Sequence, residues 1–301
     1  MAAQINKTVL MSGADYFSTE EAINAFMDSS LSVDRARATE EHLRLKTYLE
    51  QVGIDVIQVP PPDGCQDGVY TANWALVRDD QAVMASLPSV RQPEVPYAER
   101  KLRDMGIRTH HVPKGLKFSG QGDALACGNY LFMNHGYRTD LPVHKFVAQT
   151  LGYEVISLQT VPLTDSRGAP VVNTVSGWPD SYFYDIDLAL SIIRAPCERL
   201  DLSQNSGCRG LIAWCPEAFT PESQKTLHEF DGVDKIEVSL EEAKDAFACN
   251  LVSTGETVIM SAYAPQLRAE LEARGFDIVT PDMSELVKGG GFIRCTTLAL
   301  A

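Results

Sequence analysis

The sequence predicts an α/β fold in which a ββαβ unit recurs around a common centre. Apolar strand-like runs and amphipathic helix-like segments follow one another in the order strand, strand, helix, strand, with a period of about 50 to 65 residues. That order differs from the sustained alternation of one strand and one helix in a TIM barrel or a doubly wound sheet. The chain has 301 residues, of which 45% are hydrophobic, so it can bury a large core.

The first segments of the chain predict a strand, two helices and a second strand. Residues 8–12 form a run typical of a short strand, and Ser18 and Glu21 have the spacing of a capping box at the start of a short helix over residues 18–27. Residues 33–52 predict a long amphipathic helix, and residues 54–59 predict the strand after it. The apolar face of the long helix is predicted to contain Leu43, Leu45, Tyr48 and Leu49.

The rest of the chain repeats the order strand, strand, helix, strand four times. The predicted elements are strands 73–77 and 81–86, helix 93–105 and strand 109–112; strands 124–127 and 130–133, helix 141–151 and strand 153–157; strands 187–193 and 211–214, helix 221–230 and strand 235–239; and strands 251–253 and 257–260, helix 264–274 and strand 277–280.

Two stretches rich in turn residues, 164–180 and 196–210, interrupt the repeats and are predicted to be inserted loops. Long loops in compact domains tend to be functional or disordered. The first stretch is therefore either a lid with Trp178 as its anchor or a disordered surface excursion.

The charge of the chain disfavours some partners. Its 26 basic and 40 acidic residues give a formal net charge of −14, whereas nucleic acids and anionic membranes bind clustered Lys and Arg. An acidic protein mildly favours a cationic small molecule, although acidity that only keeps the protein soluble explains the balance equally well.

The cysteines and the N-terminus indicate a location. Seven cysteines without a CxxC pair do not form a disulfide framework or a zinc site, so we expect reduced thiols. The N-terminal residues lack the pattern of a signal peptide, and the apolar runs are shorter than the roughly 18 residues that span a bilayer. We expect a cytoplasmic protein.

The last thirteen residues contain the strongest candidate for a reactive group. Gly289, Gly290 and Gly291 allow positive φ and close backbone approach, and a short β-like run with Cys295 follows them. Such a segment can present a thiolate. The alternative is an ordinary loop with a buried cysteine that packs as a small hydrophobe.

Polar residues gather at predicted strand boundaries in five segments that are spread across the repeats. A site at the centre of a ring of repeats requires this distribution. The segments are residues 66–73, 118–123, 134–140, 183–187 and 289–295.

The sequence resembles the guanidino-group-modifying (pentein) superfamily, and most closely its bacterial dimethylarginine dimethylaminohydrolase, arginine dihydrolase and amidinotransferase-like branch. The resemblance runs nearly from end to end. It lies in Val9-Leu10-Met11 through Tyr16-Phe17, residues 22–28, Val69-Tyr70-Thr71-Ala72-Asn73, Gly122-Asp123, residues 135–140, and Ser284 through Gly291 to Cys295. It implies a single domain over residues 1–301, folded as a five-bladed α/β propeller of quasi-repeated ββαβ units.

The resemblance also implies roles for individual residues. Cys295 falls on the nucleophile that attacks the guanidinium carbon, Asp187 on the second acid of a His-x-Asp segment, and Arg138 on an arginine that holds the substrate carboxylate. Carboxylates suit a guanidinium because they accept paired hydrogen bonds from its planar fork. The remaining substrate-binding candidates are Asp67, Asn73, Arg91, Ser119, Gln121 and Asp123. Ordinary turn chemistry is the alternative for Asn73 and Asp67.

Two catalytic residues of the family are replaced. Asp185 occupies the place of the histidine in His-x-Asp, and Ser119 and Gln121 are the candidates for the place of a glutamate before Gly-Asp. The histidine protonates the leaving amine, and a solvated aspartate with a pKa of about 4 does this poorly. Asp185 and Asp187 lie two residues apart on a segment predicted to be extended, so repulsion or burial can raise one pKa into a useful range.

Three functions follow as hypotheses. The first is a cysteine-dependent hydrolase of a C–N bond in an arginine-like compound, with Asp185 as an altered acid/base. The second is an amidinotransferase-type enzyme with a non-standard substrate, and the third is a ligand-binding protein without catalysis. We expect a cationic small-molecule substrate, no metal or organic cofactor, no nucleic acid or membrane partner, and a homo-oligomer.

Overall fold

Five three-stranded sheets make up the fold, and each is built from a ββαβ sequence of elements. The structure is a computed structural model that describes residues 4–196 and 209–300. The strands are β1 (Thr8–Ser12), β2 (Asp55–Val59), β3 (Ala75–Arg78), β4 (Gln81–Met84), β5 (Arg108–His111), β6 (Ala124–Cys127), β7 (Tyr130–Asn134), β8 (Glu154–Leu158), β9 (Leu190–Arg194), β10 (Gly210–Trp214), β11 (Val233–Glu237), β12 (Val252–Ser253), β13 (Thr257–Ile259), β14 (Asp277–Val279) and β15 (Leu298–Ala299).

The helices connect the second and third strands of the sheets. They are α1 (Arg35–Gln51), α2 (Glu94–Asp104), α3 (Pro142–Leu151), α4 (Pro221–Glu229), α5 (Leu240–Asp245) and α6 (Pro265–Ala273). Among the α-helices of the described residues, α5 lies outside this scheme, because it joins β11 to β12. The side chains of Asp34, Thr220 and Ser239 accept backbone N–H bonds at the starts of α1, α4 and α5. Such caps satisfy donors that have no partner within the helix.

Each sheet has the same pairing. The middle strand is antiparallel to the first strand and parallel to the third, as in β3-β4-β5 and β6-β7-β8. The fifth sheet uses both ends of the chain, because β15 pairs with β1 through Val9↔Ala299 and Leu10↔Leu298. β6 lies beside β9, β9 beside β12, and β15 beside β3. The first strands of the sheets are therefore the inner ones.

The core consists of apolar side chains between the inner strands and the helices. Trp74, Trp214, Phe118, Phe132 and Phe219 are among its largest fully buried members. Among the described residues, no helix is both long and apolar enough to cross a membrane.

The helix predicted over residues 18–27 is wrong. This segment forms turns, because side chains bind the backbone N–H groups that a helix would need. Asn24 Oδ1 accepts from the N–H groups of Phe26 and Met27, and Gln66 Oε1 accepts from that of Glu21. The predicted apolar face of α1 also needs one correction: Leu43 does not belong to it, since its side chain is 47% exposed. The buried apolar residues of this face are Ala38, Leu45 and Leu49.

Three segments that were predicted as strands start as tight turns. Thr71–Trp74 and Ile186–Leu188 form 3₁₀ turns, so β3 begins at Ala75 and β9 at Leu190. Cys295 likewise lies in a turn before β15 and not in a β-like run. The turns allow polar side chains in front of each inner strand to point to the centre of the fold.

The predicted loop 164–180 contains two bridges, Thr164↔Pro170 and Val172↔Pro179. Trp178 is half-buried, with Lys117 Nζ 5.2 Å from its ring centroid. Asn173 Nδ2 donates to the carbonyl of Ala22. The loop thus contacts the 18–27 turns, and its role as a lid stays a prediction. Of the other predicted loop, 196–210, residues 197–208 lie outside the described part of the chain.

Candidate active site

The site lies where the five inner strands begin. Asn73 precedes β3, Asp123 precedes β6, Asp187 precedes β9, Asn250 precedes β12 and Cys295 precedes β15. Four of the five predicted polar segments converge at these amino ends. The fifth, residues 134–140, follows β7 and reaches Asp185 through Arg138, and the turn with Asn250 was not predicted. Because one turn from each sheet contributes, the site requires the whole described fold.

Cys295 is held by its neighbours on two sides. Its Sγ atom lies 3.3 Å from Asp187 Oδ2, to which the thiol can donate, and it accepts a bond from Asn250 Nδ2 at 3.1 Å. Asn250 Oδ1 also accepts from the backbone N–H of Cys295 at 3.2 Å. The thiol is 3% exposed. Asn250 therefore fixes the position of the sulfur, and Asp187 is the group that can take its proton.

Two buried carboxylates next to this thiol have free oxygen atoms. Asp185 and Asp187 are fully buried, and among residues 4–196 and 209–300 the Oδ1 atom of each has no hydrogen-bond partner. Buried polar atoms are normally paired, so an unpaired pair at one place indicates a ligand or a strained site. A planar cation with several N–H donors would satisfy both atoms.

Burial dominates the titration of these groups. The pKa of Asp187 is raised from 3.8 to about 8, first by burial and then by the neighbouring charge of Asp185, while Arg294 opposes the shift. Burial, and then Asp187, raise the pKa of the Cys295 thiol well above its usual 9.0. Burial and Asp185 also raise the pKa of Asp123 well above 3.8. In the unliganded protein, burial therefore disfavours both the thiolate of Cys295 and the carboxylate form of Asp187.

Asn73 links three of the predicted residues. Its Nδ2 donates to Asp185 Oδ2 at 2.8 Å and to Ser119 Oγ at 3.0 Å. Its Oδ1 accepts from Arg91 Nη1 at 2.8 Å. A side chain on Gly122 would come within 2.7 Å of Asp185 Oδ2, which explains the glycine there. Asn73 and Ser119 thus orient Asp185.

Arg91 forms a buried network beneath Asn73. It donates to both oxygens of Glu94 at 2.8 Å and to the carbonyls of Asp67 and Tyr70. These bonds occupy most of the N–H donors of Arg91. The geometry therefore indicates that Arg91 positions its neighbours and does not contact the substrate. Asp67 is also buried; burial raises its pKa to about 6, and Arg91 opposes that shift.

Arg138 lies at the other side of the carboxylates. Its Nη1 is 3.6 Å from Asp185 Oδ2, its Nη2 donates to the carbonyl of Ile23 at 3.2 Å, and its guanidinium stacks 3.8 Å from the ring centroid of Tyr184. Several of its donors remain available. Arg138 thus lies beside Asp185, and its predicted role, to hold the carboxylate of a substrate, stays a prediction.

Asp123 and Gln121 form hydrogen bonds with the segments that carry the site residues. Asp123 accepts from Thr139 Oγ1 and from the N–H of Ile186, so it anchors the segment that contains Asp185 and Asp187. Gln121 does not face the carboxylates. Its Oε1 accepts from Arg294 Nη2 at 2.7 Å and from the N–H of Ala299.

The prediction that Asp185 and Asp187 share an extended segment needs correction. Asp185 is extended, but Asp187 lies in the 3₁₀ turn that follows. Asp123 accepts the N–H of Ile186 and thereby turns the chain between them. The two carboxylates still interact, since the charge of Asp185 raises the pKa of Asp187.

Sequence reasoning missed three residues that shape the site. Asn250 binds the nucleophile, and Asn24 Nδ2 donates to the carbonyl of Gly289 at 3.0 Å. Gly290 has a φ of +79°, and a side chain there would clash with Asn24. The third missed residue is Arg294, which donates to Gln121 Oε1. The signal for Asn250 was a polar residue within the apolar run 246–252.

Comparison with known proteins places these features in context. The family model of the eukaryotic N,N dimethylarginine dimethylhydrolases matches residues 14–175. The N(G),N(G)-dimethylarginine dimethylaminohydrolase of Mycobacterium tuberculosis is 34% identical over 294 residues, which cover 95% of this chain and 83% of that protein.

Similarity extends to arginine dihydrolases. The bifunctional arginine dihydrolase/ornithine cyclodeaminase AgrE of Nostoc sp. is 29% identical, and the match covers 96% of this chain but 37% of that longer protein. The solved N-terminal domain of ArgZ, a cyanobacterial arginine dihydrolase bound to its substrate, has a TM-score of 0.82 and 26% identity, with 98% of each chain covered. The predicted superfamily and its α/β propeller fold are confirmed.

Proposed function

Because the chain belongs to the dimethylarginine dimethylaminohydrolase family, we propose that it hydrolyses a C–N bond of an arginine-type guanidino compound through a covalent adduct on Cys295. The predicted class, a hydrolase of C–N bonds other than peptide bonds, is confirmed by this membership. One observation carries the proposal: the thiol of Cys295 contacts Asp187 at 3.3 Å, beside two buried carboxylates with unpaired oxygens. A thiol, a proton acceptor and a receptor for a cation thus lie together.

Substrate binding follows from the free acceptors. Oδ1 of Asp185 and Oδ1 of Asp187 are available for two N–H groups of one guanidinium. Arg138 is available for the carboxylate of an amino acid substrate, and its stacking on Tyr184 keeps its plane fixed. This arrangement orients the guanidinium carbon towards the sulfur.

Attack begins with transfer of the thiol proton. A bound cation favours the thiolate, because an opposite charge within a few ångströms lowers a thiol pKa. The proton moves from Sγ to Asp187 Oδ2 along the existing contact. The thiolate then forms a C–S bond to the guanidinium carbon, while the other N–H groups remain bound to carboxylate oxygens.

Asp187 then completes both halves of the reaction. It donates the proton taken from the thiol to the leaving amine, so that the C–N bond breaks and an amidino thioether stays on Cys295. A water molecule next attacks the same carbon and gives a proton to Asp187. The C–S bond breaks, the ureido product leaves, and the sulfur recovers its proton.

In this scheme Asp185 does not have the role of altered acid/base that the sequence suggested. Its Oδ2 atom is bound to Asn73 and lies near Arg138, and Asp187 is the carboxylate in contact with the sulfur. The geometry supports substrate binding by Asp185 and proton transfer by Asp187.

The test is product formation with a matched cysteine control. With arginine and with dimethylarginine as substrates, ammonia, dimethylamine and the ureido products are measured. Cys295→Ala should lower turnover by about 10³-fold or more, since it removes the sulfur that forms the adduct. Cys215→Ala removes a buried thiol whose pKa is raised to about 12 by burial, and it should retain turnover. Equal rates in both variants would contradict the proposal.

The replacement of the family's histidine by Asp185 favours a second candidate, a protein that binds the guanidino ligand without hydrolysis. In that case calorimetry detects binding of arginine-type compounds and no amine is released. Asp185→His distinguishes the two. A gain of turnover from zero would show an inactivated but intact site, whereas activity of the wild-type protein excludes the binding-only candidate.

A further inference from the structure

A cavity of about 440 Å³ is lined by residues of the inner strands β3, β6, β9 and β15. Asp79 and Gly128, exposed residues that follow two of these strands, also line it, so the cavity opens at the carboxyl ends of the strands. Cys295, Asp185 and Asp187 precede the strands and do not line it. The cavity is therefore separate from the proposed active site. Its volume is within the range of about 300 to 1,000 Å³ that is typical of small-molecule sites.

The lining of this cavity is positively charged, although the protein is acidic. The charged side chains among its described lining residues are Lys7, Arg78, Arg294 and Asp79, which are three cations against one carboxylate. The chain as a whole has a formal net charge of −14. A concave surface with charge of one sign concentrates ligands of the opposite sign. The cavity therefore favours an anion, whereas the carboxylates beside Cys295 favour a cation.

Arg294 is the buried cation of this lining, and its guanidinium has unused donors. The residue is 9% exposed. Its Nη1 donates to the carbonyl and Oγ1 of Thr297, at 2.7 and 3.2 Å, and its Nη2 donates to Gln121 Oε1 at 2.7 Å. These acceptors are all neutral. Because a guanidinium has five N–H donors, the Nε–H group and one N–H of Nη2 have no acceptor in residues 4–196 and 209–300.

The charge of Arg294 is also uncompensated. Within the described parts of the chain, no carboxylate lies within 4.0 Å of its nitrogen atoms. A buried charge without an ion pair is unfavourable. An anion that enters the cavity would provide the missing partner.

Ser191 is a second unsatisfied polar group in the buried part of the lining. It is 4% exposed, and its Oγ atom has no hydrogen-bond partner among the described residues. Buried hydroxyl groups are normally paired. The buried lining also includes the apolar side chains of Leu76, Leu125 and Leu251. Apolar walls with a few unsatisfied polar groups are typical of a site that binds a small molecule.

We propose that this cavity is a second ligand site, which binds a small dicarboxylate with one of its carboxylates on Arg294. The two unused donors of the planar guanidinium match the two oxygen atoms of a carboxylate. Lys7 is an exposed cation of the same lining and has no ion pair with a described residue, so it is available to the second carboxylate. Such a site does not depend on whether Cys295 is a nucleophile.

Succinate is the probe that tests this site, and succinamide, which has the same skeleton without charge, is its control. Calorimetry at low ionic strength, where screening is weak, should detect binding of succinate and none of succinamide. A crystal structure of the succinate complex should show one carboxylate hydrogen-bonded to Arg294. Absence of succinate binding, equal binding of the two compounds, or succinate bound only at Arg138 would overturn the proposal.

Ala126 provides a matched pair of variants, because it is an exposed residue of the lining. Ala126→Glu places a like charge beside the bound anion, whereas Ala126→Gln has nearly the same shape and no charge. Succinate should bind Ala126→Glu about tenfold or more weakly than Ala126→Gln, as expected for like charges at close range. Equal affinities of the two variants would contradict the assignment.

Two arginine variants locate the site. Arg294→Met should abolish succinate binding, and Arg138→Met should retain it, because Arg138 lies beside Asp185 and does not line the cavity. Retention in a folded Arg294→Met or loss in Arg138→Met overturns the proposal. If Arg294→Met does not fold, the Ala126 pair decides. No turnover enters these measurements, so failure of the anion site is distinguishable from failure of the proposed hydrolase.

Discussion

Two buried polar networks lie a few residues apart in this protein and differ in one respect. In the Arg91 network, the guanidinium is paired with Glu94 through two bonds of 2.8 Å, and Trp74 Nε1 donates to the same carboxylate. In the Cys295 network, two carboxylates retain oxygen atoms that have no partner in the described part of the chain. The first is complete without a ligand and the second is not.

The complete Arg91 network can hold the surrounding structure in place, whereas the incomplete Cys295 network can bind a ligand. A satisfied buried ion pair fixes its surroundings, and removal of one partner leaves an uncompensated charge. An incomplete network stores unfavourable interactions that a ligand can relieve, which is typical of functional sites. Asn73 connects the two networks, since it accepts from Arg91 and donates to Asp185.

The largest effect is expected where the incomplete network is broken. Asp187→Asn removes the group that takes and returns the proton, so turnover should fall by about 10² to 10⁴-fold, the usual range for a lost acid/base. Steady-state release of amine measures this. Turnover within threefold of wild type would show that another group transfers the proton.

The complete network should respond in stability. Arg91→Met leaves Glu94 buried without its cation, and the free energy of unfolding should fall by about 3 to 5 kcal/mol. Urea denaturation measures it. The matched control is Arg44→Met on the exposed face of α1, where the partner Glu40 is solvated and no measurable change is expected. Equal effects at both sites would contradict the comparison.

The incomplete network should destabilise the folded protein as pH rises. The pKa of Asp187 is about 8 in the folded state against 3.8 for a free carboxyl, so the native state holds the proton more tightly. Stability contributed by this proton is present below about pH 4 and is lost as pH rises through 8. Asp187→Asn should therefore be more stable than wild type at pH 9, by at least about 1 kcal/mol. Parallel pH–stability curves for the two proteins would refute this.

The smallest effect concerns a neutral bond next to the nucleophile. Tyr70 Oη donates to the carbonyl of Leu286 at 2.6 Å, and its ring packs against Gly289 and Gly291. Tyr70→Phe keeps the ring and leaves one buried acceptor without its donor, so the free energy of unfolding should fall by about 1 to 2 kcal/mol. A change above that range would indicate that the glycine segment has moved, which crystallography of the variant would reveal.

Much of the fold was predictable because its repeats are local. Each ββαβ unit has apolar strands and an amphipathic helix within about 60 residues, which periodicity detects. The helix predicted over residues 18–27 failed because Asn24 and Gln66 take its backbone N–H groups, and Gln66 lies 45 residues from Glu21. The missed α5 carried a readable signal, the cap formed by Ser239 and Glu242.

The site was predictable only in part. Cys295, Asp185 and Asp187 lie in segments that polar residues and glycines mark in the sequence. Asn250 and Arg294 depend on which turns meet in space: Asn250 contacts a sulfur 45 residues away, and Arg294 contacts Gln121 across 173 residues. No local pattern specifies that a glutamine will hold an arginine without neutralising it.

The covalent adduct is the central claim, and intact-protein mass spectrometry after rapid acid quench tests it most directly. The protein is mixed with arginine or dimethylarginine, and the modified peptide is located after digestion. The account predicts a mass increase for the amidino thioether of the substrate, on Cys295 alone, and its absence in Cys295→Ala. Product release from the wild-type protein with the adduct on a different cysteine, or full product release from Cys295→Ala, would contradict it.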